Sequence, residues 1–192
     1  VKKADFDEAV AAGKIRYIGE EVISSYLDEV QKQAIHPEAS AKAGLKVVYT
    51  PLHGSGNKPV RAILDRCGIS GVTVVPEQEL PNGNFPTAPF PNPEIRQAFE
   101  CALKLAEKVS PDLLLATDPD SDRVGIAVKN GGDYTLMTGN QVGAMLLHYV
   151  LSQRTALGTM PKNPIAVKTI VTSDICKFIA KKYNCQLIEV LT

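Results

Sequence analysis

Apolar positions along the chain fall into two patterns, short uninterrupted runs and longer stretches where they recur at helical spacing. Residues 45–50, 71–75, 113–117 and 124–129 are of the first kind. They are rich in Val, Ile and Leu and punctuated by Gly, Pro, Asn or Asp, as buried strands are. Residues 134–137 predict a further strand, reached through Asn130-Gly131-Gly132, a hairpin signal. Of the second kind, Ile95, Phe99, Ala102, Ala106 and Val109 mark one amphipathic helix. Val142, Met145, Leu146 and Tyr149 mark the expected buried face of another, capped by Thr138 or Asn140. Asn57 is expected to cap a helix that starts near Lys58 and Pro59. In the polar segment 1–40, Ile18, Val22, Ile23, Tyr26, Leu27 and Val30 form a stripe on a connecting helix, part of it expected to stand exposed.

Residues 152–164 are polar, with Gly158 and two prolines, and predict a linker. Segments 165–171, 173–182 and 186–190 then spell strand, helix, strand, the opening of a second α/β unit. The expected class is therefore α/β, a mixed β-sheet with flanking helices. The chain divides into a connecting segment 1–40, a main domain 41–152 and a linker with a second, incomplete domain over 153–192. Residues 76–93 carry six prolines and predict an extended connection, expected to pack across a domain boundary.

Composition narrows the function classes. Lys and Arg balance Asp and Glu to a formal net charge of zero, and no basic cluster appears, which argues against a nucleic-acid surface. No apolar run approaches the ~18 residues that a membrane helix needs. Cys67, Cys101, Cys176 and Cys185 lack metal or disulfide-framework spacing and read as reduced thiols of a cytoplasmic protein.

The chemistry concentrates in Thr117-Asp-Pro-Asp-Ser-Asp-Arg123, between two apolar runs. Pro119 disfavours the α region for Asp118. In extended backbone Asp118, Asp120 and Asp122 would point to one side of a strand-end loop. Three carboxylates so close are tolerable if water separates them, if they share protons or if a cation binds them. Mg²⁺ suits few carboxylates completed by water or phosphate. Arg123 beside it suits a phosphate. A solvated acidic turn balanced by Arg123 is the plain alternative. An EF-hand would need Gly and Glu where Arg123 and Lys129 stand. A strand followed by D-x-D also fits an aspartyl-phosphate phosphatase, with Asp118 as nucleophile and Asp120 as acid/base. Gly54 and Gly56, ahead of a helix, either cradle a phosphate or make a tight connection; the sequence favours the connection.

Thr117–Arg123 closely resembles the metal loop of the α-D-phosphohexomutases, the phosphoglucomutase/phosphomannomutase family. Further stretches resemble that family in the same order. They are Tyr49-Thr-Pro-Leu-His53-Gly-Ser-Gly-Asn57-Lys-Pro, Pro76-Glu-Gln-Glu and Gly83-Asn-Phe-Pro-Thr-Ala-Pro-Phe-Pro-Asn-Pro93. Leu136-Met-Thr-Gly-Asn140-Gln-Val-Gly, Val167-Lys168-Thr and Thr172-Ser-Asp174 complete the series. The resemblance implies the second domain and the start of the third in a four-domain enzyme. The phosphoserine loop of the first domain and the phosphate clamp of the fourth would then be missing partners, and the isolated chain inactive. It also implies reversible phosphoryl transfer between C1 and C6 of a phosphosugar, with glucose 1,6-bisphosphate as intermediate. Asp118, Asp120 and Asp122 would hold Mg²⁺ and Arg123 would contact phosphate. Lys168 and Thr192 would line the substrate cleft, and His53 would either reach that cleft or brace a domain surface. A non-catalytic structural module is the remaining alternative.

Overall fold

The computed structural model describes residues 3–192. Five strands form the main sheet: β1 (Lys46–Thr50), β2 (Gly71–Val74), β3 (Leu113–Thr117), β4 (Val124–Asn130) and β5 (Asp133–Met137). Their order is β2-β1-β3-β4-β5. β1 lies parallel to both β2 and β3, whereas β3–β4 and β4–β5 are antiparallel. The central strands β1 and β3 are the most apolar, as a strand covered on both faces must be. Asn130 pairs with Asp133 around Gly131 and Gly132, so the β4–β5 turn is the tight hairpin the sequence signals.

The strand directions send the loops that follow β1, β3 and β5 to one edge of the sheet, the carboxyl edge where α/β folds place ligands. The acidic loop, residues 118–123, lies there, joining Thr117 to its cross-strand partner Val124. Beneath it the core packs Val48, Leu114, Ala116 and Ala127 of the sheet against Phe99, Ala102 and Ala106. The last two sit on α5 (Glu100–Val109), which a short 3-10 turn over Arg96–Phe99 introduces.

The amino-terminal segment carries α1 (Phe6–Ala11), α2 (Glu20–Gln31) and α3 (Pro37–Ala43). Helix α2 docks on α4 (Asn57–Arg66), where Arg66 reaches Asp28 at 2.6 Å and Ser24 Oγ at 2.9 Å. Leu27 is the buried residue of the stripe; Ile18, Val22, Ile23 and Tyr26 stand exposed. Beyond β5 come α6 (Gly139–Ala156), β6 (Ile165–Thr169), α7 (Ile175–Lys182) and β7 (Gln186–Val190). β6 and β7 pair in parallel, and Leu151, Ala180 and Cys185 form a small second core under them.

Three local expectations are corrected. Gly56, not Asn57, caps α4, and the Asn57 amide donates instead to Glu79 O at 2.9 Å. Helix α6 runs to Ala156, so the connecting loop is 157–164. Its buried side is the Leu147 and Leu151 side, while Met145, Leu146 and Tyr149 are exposed. Apolar residues cover most of this helix's circumference, so spacing alone does not select a face; packing on α7 does. The proline-rich connection folds onto its own sheet, burying Gln78, Ala88 and Pro93.

Thr138 caps α6 in a reciprocal box, its Oγ1 accepting from Gln141 N while Gln141 Oε1 accepts from Thr138 N at 2.9 Å. Thr138→Ala should therefore cost about 1 kcal/mol. Denaturant midpoints of the two proteins, compared at equal slope, check this.

Candidate metal centre

β3 delivers Asp118 to the carboxyl edge, and the chain then turns sharply. Ser121 N donates to Asp118 O at 3.0 Å, with Ser121 in the left-handed region at φ 63°. This turn, rather than an extended run, brings the three acidic groups together. Asp118, Asp120 and Asp122 can each offer one oxygen, all lying within 4.8 Å of one another. Asp118 is buried; Asp120 and Asp122 are exposed. The convergence expected from spacing is present, but a turn rather than strand alternation produces it.

Arg123 organises the floor of the loop. Its backbone N–H donates to Asp118 Oδ1 at 2.9 Å and its Nε to Asp118 Oδ2 at 2.8 Å. Burial pushes the Asp118 carboxyl up, but the hydrogen bonds from the Arg123 backbone and guanidinium outweigh it and hold the group below its ordinary value. Asp122 moves up instead, through the hydrogen bond it shares with Asp118 and the charges of Asp120 and Asp118. The Arg123 side chain remains about half exposed, at 52%, so its outer edge is free for an anion. An Asp118 nucleophile, the phosphatase alternative, would need one carboxylate oxygen released from Arg123, whose backbone N–H and Nε each hold one.

The loop forms one wall of a cleft of about 610 Å³, with Phe90, Pro91, Asn92 and Ile95 opposite Asp118, Pro119, Asp120 and Arg123. Phe90 is 76% exposed at its mouth. These opposing residues come from the proline-rich connection and the start of the next turn, a wall that sequence reading assigned to packing. Six prolines in so short a span were the available signal, since they stiffen a segment in an extended form.

The loop after β1 backs the acidic loop. Leu52 and His53 both take positive φ, at 48° and 61°, a conformation uncommon outside glycine. The turn they make sets Gly54 against Pro119 and Gly56 against a hydroxyl cluster. A Cβ on Gly56 would lie 2.5–2.7 Å from Ser121 Oγ, Thr117 Oγ1 and Tyr49 OH. Tyr49 OH pairs with Thr117 Oγ1 at 2.8 Å, and burial pushes the phenol up to about 12. The glycines thus serve the close approach of the two loops.

The other candidate residues stand apart from the cleft. His53 is buried, with Nε2 2.9 Å from Thr87 Oγ1 and Nδ1 3.3 Å from Leu80 O, so it braces the proline-rich connection. Lys168 is buried on β6, its Nζ donating to Thr172 O at 3.0 Å and meeting Glu189 at 2.5 Å. Its Nζ also lies 3.5 Å from Asp174 Oδ1. Thr192 is exposed, two residues beyond β7.

Residues 24–132 match the family model for phosphoglucomutase/phosphomannomutase alpha/beta/alpha domain II. The chain belongs to the phosphoglucomutase/phosphomannomutase family. Within that family it is 36% identical to the phosphoglucomutase of Staphylococcus saprophyticus, over 100% of this chain and 34% of that protein. Against the phosphoribomutase of Saccharomyces cerevisiae the identity is 40%, over 76% of this chain and 25% of the yeast protein. The chain thus spans about a third or less of these relatives. A solved structure from Thermus thermophilus shares the fold, with a TM-score of 0.65 at 19% identity over 89% of this chain and 36% of that one. A phosphoglucomutase/phosphomannomutase family protein from Burkholderia thailandensis does so at 0.58 and 16%, over 85% and 33%. Among the described residues no helix is long and apolar enough to cross a membrane.

Proposed function

We propose that this chain is the metal-bearing part of a phosphohexomutase, spanning its second domain and the start of its third. The longer enzyme interconverts a hexose 1-phosphate and its 6-phosphate through a phosphoserine and a bisphosphorylated sugar such as glucose 1,6-bisphosphate. The observation that carries this reading is the convergence of Asp118, Asp120 and Asp122 at the carboxyl edge of the sheet, within 4.8 Å. Family membership and the phosphoglucomutase and phosphoribomutase relatives support it.

The donor set fits a hard divalent ion. It offers oxygen only, it supplies few protein ligands, and two of its three carboxylates are exposed beside an open cleft. Those properties suit Mg²⁺, which keeps several positions for water or phosphate oxygen. Asp118, Asp120 and Asp122 would hold the ion, which when bound supplies Lewis-acid neutralisation of phosphoryl oxygen charge. Arg123 keeps Asp118 ionised and aimed, and presents its outer guanidinium edge to a phosphate in the cleft. Phosphoryl transfer asks for positioning and charge neutralisation more than covalent help, which is what these side chains can give. Lys168 and Thr192 would line the substrate cleft of the longer enzyme, and His53 would either reach that cleft or brace a domain surface. We place the protein in the cytoplasm, in line with its unpaired cysteines.

The test is an assay of the longer protein with glucose 1-phosphate, Mg²⁺ and a trace of glucose 1,6-bisphosphate. Glucose 6-phosphate should form, formation should require the bisphosphate, and a chelator should abolish it. Release of free phosphate without isomerisation would instead support the phosphatase alternative. The 192-residue chain alone should show no turnover, because the phosphoserine motif is not among its residues.

A further inference from the structure

Asp118 is held by Arg123, and Asp122 lies beside the same guanidinium, its Oδ1 3.8 Å from Arg123 Nε. Asp120 differs: among the described residues its carboxylate makes no hydrogen bond or ion pair. Its position is therefore set by backbone alone, and the backbone on its amino side is pinned from outside the loop. Pro119 O accepts two hydrogen bonds from one residue, Ser55, from its N–H at 2.8 Å and its Oγ at 3.1 Å.

These two hydrogen bonds together restrict the backbone. The Pro119 ring locks φ, and the Pro119–Asp120 peptide is planar. The remaining freedom upstream of Asp120 is the ψ angle of Pro119, which decides where its carbonyl oxygen points. Ser55 fixes that oxygen, and so fixes where the Asp120 Cα is delivered. Ser55 is itself held in place: Gly54 N donates to Pro51 O at 2.8 Å and His53 N to Gln78 O at 2.9 Å. Gly54 lets the two loops touch, since a Cβ there would overlap the Pro119 backbone.

We infer that Ser55 is a positioning residue for the metal centre, orienting Asp120 through the Pro119 carbonyl. This rests on the metal reading of the acidic loop. Outer-shell partners of metal ligands change affinity by about 10- to 100-fold when removed. Ser55 keeps its backbone hydrogen bond in any variant, so the lower end of that range applies to its hydroxyl.

The test measures Mn²⁺ binding to the full 192-residue chain by electron paramagnetic resonance of the free ion, for the wild type, Ser55→Ala and Ser55→Thr. Circular dichroism confirms equal folding. Ser55→Ala should bind about tenfold more weakly. Ser55→Thr, which restores the hydroxyl, should return to within about twofold of the wild type. Amide exchange at Asp120 and Ser121 in the metal-free chain gives a second readout and should quicken in the alanine variant. Equal affinity of wild type and Ser55→Ala, with unchanged exchange, would overturn the inference. Equal weakness of the alanine and threonine variants would overturn it too, because packing rather than the hydroxyl would then be responsible. A wild type that takes up no Mn²⁺ would instead overturn the metal reading itself.

Discussion

Asp120→Asn should lower turnover of the longer mutase by about 100-fold or more while leaving this chain's fold intact. Asp120 is exposed and makes no hydrogen bond among the described residues, so nothing structural depends on its charge. What the substitution removes is one of three negative oxygens aimed at a single point. Preorganised charge at a reacting phosphate is the largest contribution that such a site makes, and loss of one such element typically costs about 10²–10³ in rate. Asp118→Asn makes the informative contrast. It also weakens the partner of the Arg123 backbone N–H and Nε, and so should cost stability as well as turnover. Rates measured with saturating Mg²⁺, beside melting temperatures, separate the two. Turnover that survives Asp120→Asn would remove the acidic loop from the chemistry.

The strands were legible because each is a short apolar run ended by a residue that cannot continue it. The acidic loop was legible for a related reason: three alternating carboxylates after a buried strand repel one another unless a cation, a proton or water intervenes. How the carboxylates meet was not legible. Extended backbone and a turn with Ser121 in the left-handed region both satisfy the same spacing, and only the Arg123 clamp on Asp118 selects the turn. The role of Asn57 was missed because Glu79 O, twenty-two positions away, competes for its amide. The second wall of the cleft was missed for the same kind of reason. Phe90 and Asn92 acquire meaning when the proline-rich connection folds back beside Pro119, and no periodicity marks a fold-back. Ser55 carried no signal at all, since its partner is a backbone carbonyl sixty-four residues on. Local pattern reports what a segment does by itself. Pairings between distant loops, on which this site depends, are written in the tertiary structure.

Phe99→Ala should destabilise the protein by about 3–5 kcal/mol, near the upper end of that range. Phe99 is 1% exposed and is among the largest fully buried side chains, beside Tyr49. Its surroundings decide the size of the effect. Ala88, Ala98, Ala102, Ala106, Ala116 and Ala127 all belong to the same core cluster. Alanines have no rotamers with which to close over a lost ring, so the cavity persists and its cost adds to the lost burial. The larger neighbours offer little relief. Val48 and Leu114 are fixed in paired central strands, and Leu52 already sits at positive φ in the turn that precedes Ser55. A typical domain is stable by only about 5–15 kcal/mol, so this one ring accounts for a large share of the total. Urea denaturation checks the size: the midpoint should fall with the slope unchanged. A loss below about 1 kcal/mol would mean that the alanine-rich core can collapse, contrary to the rigidity argued for it. The same packing holds β1 and β3, whose carboxyl ends carry the Ser55 loop and the acidic loop. Phe99→Ala should therefore also loosen the register between those two loops, read as faster amide exchange at Ser55 and Asp118 than at the distant β6–β7 pair.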